Sequence, residues 1–307
     1  MKLLILTQSV DKQDPVLGFF CRWVEEFAKR AESVTVIALG VGEYSFAPNV
    51  KVLSLGKESG KSKFKYLLRF YKYIWGERKN YDAILVHMNE EYVILGWKLW
   101  FILGKRIFLW RNHAKGGFWT YLAVLFSKKV FYTSPASFTA RFKKAVQMPV
   151  GVDTEFFKPD SSVPKQPNSI LFLGRIAPVK KVLEFVEWFK TLGGEARAVV
   201  AGEALPRDKD YETLVKNRAP EKVKFVGAVD ESQALRLYQS HETYVNMTPA
   251  GSFDKTIFEA AATGTRVKVA NPDLKFMEAL GNEESRDFVV KNHSLKVLMD
   301  KLGREMS

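Results

Sequence analysis

The sequence predicts an α/β protein built from two Rossmann-like domains, and three observations lead there. Apolar runs of strand length alternate with segments of helical apolar period, the pattern of a parallel sheet covered on both faces. The alternation pauses between residues 148 and 166, where Pro149, Asp153, Pro159, Asp160, Ser161, Ser162 and Pro164 mark a linker, and then begins again. At 307 residues the chain is comfortable for two domains of about 150 residues, each able to bury a core.

In the first half, residues 2–6 form a short apolar strand, followed by a loop and a helix over 16–31 whose apolar face is Leu17, Phe20, Val24, Phe27 and Ala31. Residues 34–38, 52–55, 82–87, 106–110 and 130–133 continue as strands, with helical patterns near 61–76, 91–103 and 116–127. In the second half, strands are expected at 169–173, 198–201, 222–226, 243–247 and 266–270, with helices between them and a last helix over 284–301.

The composition is that of an ordinary globular chain, 47% hydrophobic and 26% charged. No secretory leader is legible near Leu3, and the apolar stretch 92–104 is interrupted by Lys98 and too short to span a bilayer. The single Cys21 excludes a disulfide framework and is expected to be structural, so the expected location is cytoplasmic. The net charge of +13 is uneven: residues 1–150 hold 24 Lys and Arg against 11 Asp and Glu, whereas the remainder balances at 23 each. The first half is therefore expected to meet something anionic.

One segment focuses that expectation. Residues 57–79 carry eight Lys or Arg, with Phe64, Leu67, Leu68, Tyr71 and Trp75 on one helical face and Lys61, Lys65, Arg69 and Lys72 on another. Such a helix either lies on an anionic membrane surface, making the protein peripheral, or packs its apolar side on the sheet. Nucleic acid is not expected as a partner, because no glycine-aromatic string, zinc-finger spacing or basic-zipper pattern is present.

The chemistry concentrates in Ala250-Gly-Ser-Phe-Asp-Lys-Thr-Ile-Phe-Glu-Ala-Ala-Ala-Thr-Gly-Thr265. Ser252 and Asp254 are placed to cap a helix opening near Lys255, whose free amides and positive dipole end suit an anion such as a diphosphate. Glu259 lies one turn further on the same face, where its carboxylate can accept two hydrogen bonds from a vicinal diol such as ribose. The spacing alone is equally that of a solvated ion pair.

Through Phe253, Glu259, Ala260, Ala262 and Gly264, this stretch resembles the donor-binding signature of the family-four, retaining glycosyltransferases of the GT-B fold, the glycosyl transferases group 1 family. It departs at Gly251, where the family has its first glutamate, at Asp254 for a glycine and at Thr265 for a proline. Leu173-Gly-Arg-Ile-Ala-Pro-Val-Lys180 resembles the family's G-R-x-x-x-x-K, which implies that Arg175 and Lys180 grip the donor diphosphate and stabilise the leaving charge. Ala201-Gly202-Glu203 and Val223-Lys-Phe-Val226-Gly227 resemble the pieces that flank the base, and Val150-Gly-Val-Asp-Thr-Glu-Phe-Phe157 the end of the family's first domain. The resemblance also implies a phosphate-facing loop at Gly18 and a histidine, His113, beside the donor sugar.

The expectation is a GT-B fold of two Rossmann-like domains facing across a cleft: an acceptor domain over 1–150, a donor domain over 151–285 and a helix over 286–307 crossing back to the first. Arg175, Lys180 and His113 are the expected catalytic residues. Gly18, Gly174, Gly202, Val226, Gly227, Ser252, Phe253, Asp254, Lys255 and Glu259 are the expected donor-binding ones. The donor is a UDP-, GDP- or ADP-sugar, no metal or other cofactor is expected, and the acceptor is a hydroxyl, lipid-linked or on an envelope glycan. Asp208 and Asp210 have the spacing of a manganese site but fall in a charged loop or helix start. The alternative reading is a non-catalytic nucleotide-sugar binder of the same fold. A nucleotide-sugar epimerase is disfavoured because its carboxylates and histidines have no counterparts here.

Overall fold

Leu3, Leu4, Ile5 and Leu6 are wholly buried because β1 (Lys2–Val10) is an inner strand of a seven-stranded sheet. The computed structural model describes every residue except Pro15, Lys61, Gly251 and Ser252. It divides the chain into two units, Met1–Met148 with Met299–Ser307 and Pro149–Leu298.

In the first unit β1 pairs in parallel with β2 (Ser33–Val41) on one side and β4 (Ala83–His87) on the other. β3 (Val50–Ser54), β5 (Arg106–Trp110), β6 (Lys129–Tyr132) and β7 (Ala145–Gln147) complete the order β3-β2-β1-β4-β5-β6-β7. Connections run outward in both directions from the centre, so the order switches between β1 and β4. Successive side chains alternate faces. Leu4 and Leu6 therefore pack against α2 (Lys63–Gly76), α3 (Glu91–Ile102) and α4 (Phe118–Phe126) through Phe70, Ile74, Val93, Trp100, Ala123 and Val124. On the opposite face α1 (Phe19–Arg30) sets Trp23 edge-on against Trp110 at 4.8 Å. The three-residue β7 has no strand expectation, because so short a segment carries no period.

In the second unit β8 (Gln166–Leu173), β9 (Arg197–Ala201), β10 (Val223–Gly227), β11 (His241–Asn246) and β12 (Arg266–Val269) form a parallel sheet in the order β10-β9-β8-β11-β12. Its switch lies between β8 and β11. The helices are α5 (Val182–Lys190), α6 (Lys209–Arg218), α7 (Glu231–Ser240), α8 (Lys255–Ala262) and α9 (Asn282–His293). α8 is buried from Ile257 to Ala262, which its run of alanines permits by letting the helix approach the sheet closely.

The expected last helix is instead two, α9 and α10 (Leu295–Met306), broken at an extended Ser294. The cause is tertiary: Val152 forms a β-bridge with Ser294, donating to the His293 carbonyl and accepting from the Leu295 amide at 2.7 Å. The later part of α10 belongs to the first unit, where Glu305 pairs with Lys129, Arg106 donates to the Met306 carbonyl and Lys301 to that of Gln147.

Candidate active site

Ligands of an open parallel sheet bind beyond the carboxyl ends of its strands, at the switch in strand order. In the second unit the loops after β8 and β11 flank that position. The loop after β8 carries Gly174, Arg175 and Lys180, the last in a short 3-10 turn at Pro178–Lys180. The loop after β11 carries Thr248 and Asp254 and leads into α8.

Glycines bring the strand ends together. Gly174 donates to the Ala201 carbonyl and Gly202 to that of Gly227 at 2.6 Å, so three consecutive loops are joined through their backbones. Gly202 has φ +136°, and a Cβ there would lie 2.0 Å from the Gly174 carbonyl oxygen, a distance no side chain tolerates. Val226 is half-exposed at the end of β10.

Lys180 and Asp254 meet across the switch. The Lys180 ammonium donates to both carboxylate oxygens at 2.7 Å, and Oδ2 also accepts from Thr248 Oγ1 at 2.7 Å and Asn246 Nδ2 at 3.0 Å. Burial works against ionising Asp254, but the Lys180 charge, its hydrogen bond and those of Thr248 and Asn246 outweigh it and hold the carboxyl below its usual range. Asp254 does occupy the N-cap position of α8, yet its side chain makes no cap bond, which corrects the expected capping role. A charged donor and two polar ones outcompete a backbone amide for the carboxylate. Ser252, the other expected cap, and Gly251 lie outside the described residues.

Behind this pair the network continues inward. Asn246 donates to the Tyr244 hydroxyl at 3.1 Å, which donates to Thr256 Oγ1 at 2.7 Å. Glu259 is nearly enclosed, 8% exposed, and its Oε2 accepts from the Tyr238 hydroxyl at 3.2 Å. Burial, with the Glu259 charge beside it, pushes the Tyr238 hydroxyl well above its usual range, so it remains a donor. Glu259 is thus held inside the second unit rather than solvated on a helix surface. Phe253 packs against the same core, its ring 5.8 Å from that of Phe258. Lys255 opens α8 in a half-buried position, and Arg175 is half-buried in the loop after Gly174.

The structure therefore brings Gly174, Arg175, Lys180, Gly202, Gly227, Asp254, Lys255 and Glu259 to the loops and helix at the carboxyl edge of one sheet. Sequence reasoning missed Tyr238, Tyr244, Asn246 and Thr248; the polar Asn-Met-Thr that follows the apolar part of β11 was the available signal. A groove of about 970 Å³ in this unit lies elsewhere, between Phe156, Pro159 and Val163 and the side of α7, and shares only Val226 with the expected donor residues.

Gly18 and His113 belong to the first unit. Gly18 precedes α1 with ordinary helical φ, and its lack of a side chain has a local cause: a Cβ would lie 2.7 Å from the Asp14 carbonyl oxygen. His113 is exposed on the loop after β5, its Nδ1 within 3.0 Å of both the amide and the carbonyl of Lys115. That loop is fixed by Arg111, which pairs with Glu90 and donates to the Lys115 carbonyl at 2.8 Å. His87, at the switch of the first sheet, is fully enclosed with its ring stacked 4.1 Å from Phe20, and burial pushes its pKa down to about 3.

Two Rossmann-like units, one with cations and a carboxylate at the switch of its sheet, define the class: a GT-B protein. Residues 153–305 match the family model described as Glycosyl transferases group 1, and this part of the chain belongs to that family. Solved structures agree over the whole length. The Anabaena Alr3699/HepE protein, solved with UDP-glucose, is 15% identical with a TM-score of 0.76, covering 99% of this chain and 98% of that one. A sucrose-phosphate synthase from Thermosynechococcus elongatus is 14% identical with a TM-score of 0.75, covering 99% and 98%. A glycosyltransferase from Rickettsia africae is 16% identical with a TM-score of 0.73, covering 99% and 97%. None of the curated proteins matches the chain.

Proposed function

We propose that this glycosyltransferase moves a sugar from a nucleoside-diphosphate sugar to an acceptor hydroxyl with retention at the anomeric carbon and without a metal. The observation that carries the reading is the placement of Lys180, Asp254 and Glu259 at one sheet switch, in the unit that matches the family. Arg175 and Lys180 take the diphosphate, the amides opening α8 add to its binding, and Glu259 takes the ribose diol. The backbone beside Gly202, Val226 and Gly227 flanks the base. That the Anabaena protein was solved with UDP-glucose supports a donor of this class.

In the reaction the bond from C1 to the β-phosphate oxygen breaks while the acceptor oxygen bonds C1 from the same face. The acceptor proton passes to the departing phosphate. Charge accumulates on that phosphate, and fixed cations stabilise it more in the transition state than in the ground state.

Calorimetric titration with UDP-glucose, GDP-mannose and ADP-glucose, with radiolabelled donor hydrolysis in EDTA, tests this. One donor should bind and be slowly hydrolysed, and Lys180→Ala should abolish both. Binding without hydrolysis or transfer leaves the non-catalytic alternative standing; a strict metal requirement ends the metal-free reading.

A further inference from the structure

The apolar stripe of α2 faces outward. Phe70 and Ile74 are the residues it buries on the sheet, whereas Phe64, Leu68, Tyr71 and Trp75 are exposed. The neighbouring helices continue the surface, with Leu95, Phe101 and Ile102 on α3 and Phe118, Trp119, Tyr121 and Leu125 on α4. Phe64, Phe101, Ile102, Phe118, Trp119 and Leu125 are each between 61% and 79% exposed, far more large apolar surface than an unpartnered face normally shows. The helices lie side by side: Tyr71 of α2 donates to the Leu95 carbonyl of α3 at 2.9 Å, and Trp97 of α3 stacks on Phe126 of α4 at 4.1 Å.

We propose that this three-helix face docks on an anionic lipid bilayer. Charge selects the occupant. Lys63, Lys65, Lys72, Lys98, Lys115 and Lys128 are exposed on or beside the same helices. Of the nearby acids, Glu77 is paired with Lys51, Glu90 with Arg111 and Glu58 accepts from the Ser54 hydroxyl at 2.7 Å, which leaves Glu91 at the start of α3. Aromatic rings entering the headgroup boundary, ringed by lysines, match an anionic membrane in both polarity and sign. A second copy of this chain meeting the face across a two-fold axis would set lysines against lysines. The docking face thus spans α3 and α4 as well as the basic helix read from the sequence. α4 starts just after the loop that carries His113, so a docked face holds that loop at headgroup level.

The inference is independent of the donor reading and fails separately from it. The full-length chain is floated with phosphatidylcholine vesicles with and without phosphatidylglycerol. It should rise only with the phosphatidylglycerol vesicles, and a combined Phe101→Ser, Ile102→Ser and Trp119→Ser variant should stay at the bottom. Lys65→Gln and Lys72→Gln should each weaken the affinity about fivefold, the equivalent of about 1 kcal/mol per basic residue at such a surface. Because all five side chains are exposed, thermal unfolding should be unchanged; the lysine variants decide the matter if the apolar variant does not fold. No flotation, equal flotation with both vesicles, or wild-type flotation of the variants overturns the proposal. So does a concentration-dependent dimer that the same substitutions dissolve without any vesicle binding.

Discussion

Asp254 is where this chain differs most tellingly from the pattern it otherwise follows. Its carboxylate takes four contacts from three side chains and neutralises Lys180, the cation proposed above to hold the diphosphate. An entering anion must compete with it, since two negative groups within reach of one ammonium repel. Asp254→Asn should therefore act in opposite directions on two quantities. The unliganded protein should lose about 1–3 kcal/mol, because Lys180 is left half-buried without its counterion, while the added stabilisation from UDP should grow; denaturant titration with and without UDP measures both. His87 supplies a pH test. Its folded pKa, lowered to about 3 from 6.5 by burial, means that the unfolded chain binds the extra proton as pH falls. Stability contributed by the neutral ring is present above pH 6.5 and is lost as pH drops towards the folded pKa, at up to about 1.4 kcal/mol per pH unit. Between pH 6.5 and 5 the slope for His87→Gln should be flatter than for the wild type; equal slopes would show that the imidazole is not buried neutral.

The strands were legible because burial on both faces leaves continuous apolar runs, as in Leu3 to Leu6. What escaped depended on partners distant in sequence. Period alone finds one apolar stripe on α2 and does not say whether it meets the sheet or the outside; Phe70 and Ile74 are buried instead, and the stripe through Phe64 and Trp75 is left exposed. The break at Ser294 exists only because Val152 bonds to the backbone on either side of it. Asp254 stands where a cap stands, and only its contact with Lys180, 74 residues away, gives the side chain another use. Gly202 is expected from the sequence to flank the base, and the structure gives it a local reason, the close approach of the Gly174 carbonyl. Gly202→Ala should cost about 2 kcal/mol or more through strain at its positive φ and displacement of the neighbouring loop, and it should weaken donor binding together with stability, as chemical denaturation and titration would record.

Across the whole molecule the positive charge and the family signature separate by unit. The excess of Lys and Arg lies in residues 1–150, while the matched family region begins at residue 153. The two proposals can therefore be tested apart: vesicle flotation reads the first unit, nucleotide titration the second. Residues 299–307 belong with the first unit although they follow the second in sequence, so the second is an insertion in the first. The bridge between Val152 and Ser294 fastens the two ends of that insertion to each other. A segment whose entry and exit are already clasped resembles a cassette, and residues 149–298 expressed alone should fold cooperatively and still respond to the nucleotide. Joining residue 298 back to 149 through a short linker, with new termini opened at an exposed turn such as Gly193-Gly194, should leave its melting temperature nearly unchanged.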